Sequence, residues 1–179
     1  MSSRKNRLYQ MVLSAMFLAL ALILPFFTGQ IKGIGKALCP MHIPVLLCGF
    51  FCGPWYGLAV GAIAPLLRFA VFGMPVIMPT GIGMCFELAA YGCISGLLYA
   101  ALPKKKVYVY LSLLCAMIAG RFIWGVVRTA LAGLSHTEFG WTAFFAGAVT
   151  EAIPGMILQI VLIPILVMTL KKFTRQAEN

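Results

Sequence analysis

The sequence predicts an all-α integral membrane protein, a compact bundle of six transmembrane helices with both termini cytoplasmic. Three observations predict it. Of 179 residues, 62% are hydrophobic and 10% charged, against about 25% charged in a soluble domain, so polar surface is too scarce to coat a globule in water. The apolar residues fall into six runs with short connections and no linker, so residues 1–179 read as a single domain. The basic residues collect on alternate connections. Arg4, Lys5, Arg7, Lys104, Lys105, Lys106, Lys171, Lys172 and Arg175 all fall on one side of a six-span chain, and only Lys32 and Lys36 lie in loops on the other. That asymmetry orients the chain by the positive-inside rule. It also explains the net charge of +10 by topology, with no need of a nucleic-acid partner.

Each element follows from its apolar run. The first span covers residues 9–28, behind the basic N-terminus. A polar, glycine-rich stretch follows, and the second and shortest span, residues 42–52, stops at Gly53-Pro54. The third covers 55–72, the fourth 80–102, the fifth 107–134 and the sixth 141–170. Five or seven spans would put the Lys104–Lys105–Lys106 turn or the C-terminal cluster on the wrong side. Gly49, Gly53, Gly57 and Gly61 recur every fourth residue, and Gly92 and Gly96 repeat the spacing in the fourth span; small residues so placed let helix backbones approach closely in lipid. Pro65, Pro75, Pro79, Pro154 and Pro164 mark expected kinks or breaks. No internal repeat is visible, which weighs against an inverted-repeat transporter. Trp55, Tyr56 and Trp141 stand where interfacial anchors are expected.

The informative residues are charges inside the spans: Arg68 in the third, Glu87 in the fourth, Arg121 and Arg128 in the fifth, and Glu151, with Gln159, in the sixth. Each ionised group at mid-membrane costs about 2.5–3.5 kcal/mol, so these side chains are expected to face inward and find partners. With a rise of about 1.5 Å per residue, all five ionisable groups fall in the middle or outer half of the membrane. Two readings compete. Either they form structural ion pairs that set helix register, or they line a solute pocket open to the outside. Three arginines against two glutamates leave a positive charge that a carboxylate ligand would neutralise. Trp124 is deep enough to line such a cavity. The loop after the first span, with Lys32, Gly33, Gly35 and Lys36 and leading to His42, reads as a polar lid.

No hydrolytic or redox motif is legible: HExxH, GxSxG and Walker A patterns are missing, and the chain contains no Asp. The reading is therefore of a non-enzyme without a metal site. Six cysteines (Cys39, Cys48, Cys52, Cys85, Cys93, Cys115) form no CxxC pair and read as packing residues. A six-span protein that lacks its own ATP site and shows no proton-relay array needs an energy source from elsewhere for any work it does.

The first span carries Ala15-x-x-x-Ala19. Residues 42–68 read HIPVLLCGFFCGPWYGLAVGAIAPLLR, residues 74–79 read MPVIMP, and residues 86–99 read FELAAYGCISGLLY. With these motifs the chain resembles the substrate-binding S components of energy-coupling factor (ECF) vitamin transporters, and is similar to members assigned to pantothenate and to hydroxymethylpyrimidine or pyridoxine-type vitamins. The resemblance implies a cell-membrane protein of a prokaryote that captures a vitamin from outside and topples in the bilayer to release it. A separate transmembrane coupling subunit and two cytoplasmic ATPases would do the work and hydrolyse the ATP, the S component itself holding no cofactor. It also implies docking of the coupling subunit on Ala15 and Ala19, a substrate gate at Lys32, Gly33, Gly35 and Lys36, and binding residues on the outer halves of the later helices. That region holds Arg68, Glu87, Arg128 and Glu151, with Arg121, His42 and Trp124 beside them. Pantothenate is the favoured cargo for its carboxylate, and a pyridoxine- or pyrimidine-type vitamin the alternative. A stand-alone proton-coupled carrier would need ionisable groups through the whole membrane, yet the inner half carries none.

Overall fold

A computed structural model describes residues 2–29, 40–134 and 153–177. They form α1 (Ser2–Gly29), α2 (His42–Cys52), α3 (Pro54–Phe72), a π turn (Ile77–Gly81), α4 (Ile82–Ala101), α5 (Lys106–Leu134) and α6 (Ile153–Ala177). The expected all-α six-helix bundle is present. Five of its helices are long and apolar enough to cross a membrane.

The second element has its expected bounds, residues 42–52, but is too short to cross the membrane as the span it was counted as. At 11 residues, α2 rises only about 16 Å, half of the ~30 Å hydrocarbon core. What it lacks in length it has in burial: residues 42–50 and Cys52 are all buried. It is enclosed by α1, α3, α4 and α6. A helix apolar on every side belongs inside a bundle, and α2 is this protein's core. Gly53, at φ 94°, a conformation costly for any residue with a Cβ, turns the chain directly into α3. Pro54 then takes the first helical position, where a missing N–H costs nothing. α3 ends at Gly73 in the left-handed conformation, its N–H donating to the Phe69 carbonyl at 2.7 Å. Pro75 and Pro79 fall in the break that follows, where Met78 is extended, whereas Pro65 and Pro164 are carried inside continuous helices.

The glycine spacing explains how α2 and α3 both reach α4. A Cβ on Gly57 would lie 2.5 Å from the Gly92 carbonyl oxygen, and one on Gly49 equally close to it. A Cβ on Gly92 would overlap the Gly57 carbonyl, and one on Gly96 would lie 2.7 Å from the Pro54 nitrogen. Backbone touches backbone along this seam, and Ser95, fully buried, hydrogen-bonds the Gly92 carbonyl at 3.3 Å.

At the far end of α4, Tyr99 meets both Lys104, in the turn before α5, and Lys171, on α6. The Lys104–Lys106 turn and the C-terminal end of α6 therefore lie at one end of the bundle, as the charge asymmetry requires. That end is termed inner below, and the opposite end outer.

Because the Gly57–Gly92 contact involves only backbone, which has no rotamer to yield, Gly92→Ala is expected to destabilise by at least ~1–3 kcal/mol. Gly133→Ala, where a Cβ meets nothing within 4 Å, should be neutral or stabilising by up to ~1 kcal/mol. Unfolding midpoints in detergent measure both.

Candidate functional site

Glu87 lies in the first half of α4 on the face that receives α2 and α5. It is 2% exposed. One of its carboxylate oxygens lies 3.2 Å from Arg121 Nη1 on α5 and 3.5 Å from His42 Nε2 at the start of α2. Tyr91 stands one turn further along α4, on the same helix face. Its ring tilts against the His42 imidazole, the centroids 5.2 Å apart. His42 is as buried as Glu87, and its Nδ1 has no hydrogen-bond partner among the described residues.

From this group a cationic ladder runs outward along α5. Arg121, Trp124 and Arg128 are spaced three and four apart, so they share one helix face. The Arg121 guanidinium carbon lies 5.9 Å from the Trp124 ring and that of Arg128 5.6 Å from it, both within cation–π range. Arg128 Nη1 also donates to Thr80 Oγ1, in the π turn, at 3.4 Å. Two glycines make room for the ladder. A Cβ on Gly83 would press on the Arg128 side chain at 3.2 Å and on Trp124 at 3.4 Å, and one on Gly120 would collide with the Tyr91 ring.

Of the residues expected at the site, His42, Glu87, Arg121, Trp124 and Arg128 thus form one connected group. Arg68 engages different partners. Its Nη1 donates to the Leu22 carbonyl of α1 at 3.3 Å, and its guanidinium faces the rings of Phe26 and Phe72 at 5.8 and 5.9 Å. Glu151 and the loop residues Lys32, Gly33, Gly35 and Lys36 lie outside the described residues. Ala15 and Ala19 are exposed on α1, on a stripe shared with Met11, Val12, Met16 and Ile23. Gln159, on α6, is buried, its Oε1 without a hydrogen-bond partner among the described residues.

Tyr91, Thr80, Gly83 and Gly120 were not singled out by the sequence reading. A signal existed for three of them. Gly83 and Tyr91 stand four residues either side of Glu87, hence on its helix face, and Gly120 directly precedes Arg121.

Such an arrangement offers guanidinium donors, a carboxylate acceptor and an aromatic face, and among the described residues no group of three or more His, Cys, Asp or Glu that would hold a metal. A family model described as ECF transporter, substrate-specific component, matches residues 9–167. The chain belongs to that family. No curated protein and no solved structure gives a further match. Membership makes the chain a multi-pass membrane S component, a transport subunit and not a catalyst.

Removing either partner of a buried pair strands the other charge. Arg121→Ala should therefore cost about 3 kcal/mol, at the low end for buried pairs because Arg121 is partly exposed. The Glu87→Gln/Arg121→Gln double variant should recover more than ~1 kcal/mol of the summed single losses. A double-mutant cycle on detergent unfolding measures this coupling.

Proposed function

We propose that this S component captures a small vitamin bearing a carboxylate, pantothenate above all, and hands it to a separate coupling subunit driven by two ATPases. The observation that carries the reading is the Arg121–Trp124–Arg128 ladder. Two guanidiniums on one helix face stand against a single described carboxylate, Glu87, which His42 also approaches. A planar guanidinium binds a carboxylate through two parallel hydrogen bonds, and Arg128, at the outer end of the ladder, is placed to do so. The Glu87–His42 end supplies acceptors for the hydroxyl and amide groups such a vitamin also carries. In this reading Glu151 and the loop holding Lys32, Gly33, Gly35 and Lys36 complete and close the site. Arg68, held by α1, serves the scaffold.

A second cargo class has an observation of its own. The Trp124 face beside the Glu87 carboxylate suits a hydroxymethylated aromatic ring of pyridoxine or pyrimidine type, stacked on the indole and donating to the acid.

The coupling contact is assigned to Ala15 and Ala19. Both interrupt an exposed stripe of large apolar side chains on α1, and two small residues one turn apart leave a notch in which a partner helix packs closely. The S component needs no cofactor in this scheme, because ATP is hydrolysed by the partners. Glu87, the one carboxylate among the described residues, and the arginines beside it lie in the outer half, with no described acid in the inner half to relay a proton, which is why a stand-alone proton-coupled carrier is not favoured.

Calorimetry of the detergent-purified protein across the B vitamins should give submicromolar binding of pantothenate. Arg128→Gln should weaken it ten- to hundredfold, in keeping with loss of a charge-assisted hydrogen-bond pair, while Arg68→Gln leaves affinity little changed. Heat from pyridoxine or hydroxymethylpyrimidine alone would select the second cargo, and silence across the panel would overturn both. Liposomes holding only this chain should not accumulate the vitamin; uptake driven by a proton gradient would favour the carrier.

A further inference from the structure

The inner end of the bundle holds a second polar cluster, which the transport reading does not use. Tyr99, near the end of α4, is buried. Its ring is fixed edge-on by Phe50 of α2, centroids 5.2 Å apart and planes at 78°. Two ammonium groups converge on that ring. Lys104 Nζ lies 4.0 Å from its centroid and donates to the Tyr99 backbone carbonyl at 2.5 Å. Lys171 Nζ, from α6, also lies 4.0 Å from the centroid and hydrogen-bonds the Tyr99 hydroxyl. Like charges are thus drawn together by a neutral ring, with no carboxylate among the described residues within reach of them. The described carboxylate, Glu87, stands twelve residues up α4, about 18 Å away.

We propose that Lys104, Lys171 and Tyr99 form a seat for a phosphate group, supplied by the headgroup of an anionic phospholipid in the inner leaflet. The geometry fits that ligand. With both nitrogens 4.0 Å from one centroid, they stand no more than about 8 Å apart, a span that two N–H···O bonds to different oxygens of one phosphate cover. Each ammonium has three N–H donors and commits one to Tyr99, which leaves donors on both for the anion. Lys104, Lys105 and Lys106 are exposed, so a headgroup reaches the seat from the membrane surface. The negative potential of an inner leaflet concentrates anionic lipid there. A Lys pair on a rigid ring differs from a diffuse basic fringe in that its two charges are held at fixed separation.

The test is native mass spectrometry of the delipidated full chain titrated with phosphatidylglycerol or phosphatidylcholine. One phosphatidylglycerol should bind in preference to phosphatidylcholine, and K104Q/K171Q should weaken it tenfold or more. K104R/K171R should retain it, and R4Q, removing another exposed basic residue of the same side, should leave it unchanged. Inorganic phosphate as competitor separates the sources. If it fails to displace the lipid at millimolar concentration, the seat takes the headgroup within the membrane. If it displaces the lipid and itself binds with the same lysine dependence, the ligand is free phosphate. Should K104Q/K171Q unfold, K104Q alone, altering an exposed side chain, is expected to weaken binding about threefold or more. Equal retention of phosphatidylglycerol by the wild type and by the folded lysine variants, or equal loss with R4Q, overturns the proposal.

Discussion

A single carboxylate organises the outer half of this bundle. Glu87 is the one acidic side chain among the described residues, and it is almost wholly enclosed. Left alone there its charge would cost about 2.5–3.5 kcal/mol against insertion. Its neighbours answer with a guanidinium from α5 and an imidazole from α2. Each answer constrains a helix. Because His42 opens α2, its approach to Glu87 sets how deep that short helix sits. Arg121 does the same for the rotation of α5. The polar group is therefore part of the fold as well as of the candidate site.

Polar attraction acts only where backbones come close, and in lipid there is no hydrophobic force between helices to bring them together. The glycines supply the closeness. At Gly49, Gly57 and Gly92 the carbonyls of one helix stand where the next helix would carry a Cβ, so α2, α3 and α4 meet without side chains between them. With α4 thus at the centre, its two ends acquire different characters. The outer end holds an acid answered by cations. The inner end holds cations gathered on Tyr99. About 18 Å of apolar helix separates them, so neither compensates the other.

The spans were largely legible because a bilayer imposes a long apolar period that composition alone betrays. α3, α4 and α5 begin and end within two residues of the expected positions, and the glycine repeat pointed to the helix contact it makes. α2 has its expected bounds, residues 42–52, but was counted among the spans because hydropathy reports apolarity without distinguishing a lipid solvent from a protein one; its residues are buried by other helices. The site was legible in part for a related reason. Charges in apolar runs are conspicuous, and three of them, Glu87, Arg121 and Arg128, do lie together, with His42 and Trp124 beside them. Which charge answers which is set by helix rotation, and a single sequence carries that only as weak i, i+4 hints. So Arg68 was grouped with Glu87 by depth and charge, although it reaches α1 and Phe72 instead, and Tyr91, Gly83 and Gly120 went unread because they carry no charge. Glu151 and the lid loop lie outside the described residues.

Arg68 shows how a membrane charge can be met without any acid. Pro25 removes a backbone donor from the last turns of α1, and in the same stretch the Leu22 carbonyl accepts from Arg68. Phe26 and Phe72 meet edge to face at 4.6 Å, and both turn toward the guanidinium. The charge is met by a carbonyl dipole and two ring quadrupoles, a weaker answer than a carboxylate but one that ties α1 to α3. Elsewhere α1 touches the bundle through a narrow line of buried residues, Ser14, Phe17 and Ala21, and much of its surface is exposed. A helix fastened at its outer end and open over the stripe around Ala15 and Ala19 can accept a partner helix there without giving up the contact that holds it to its own bundle. That separation is what a subunit needs if it is to join a partner while keeping its cargo site intact.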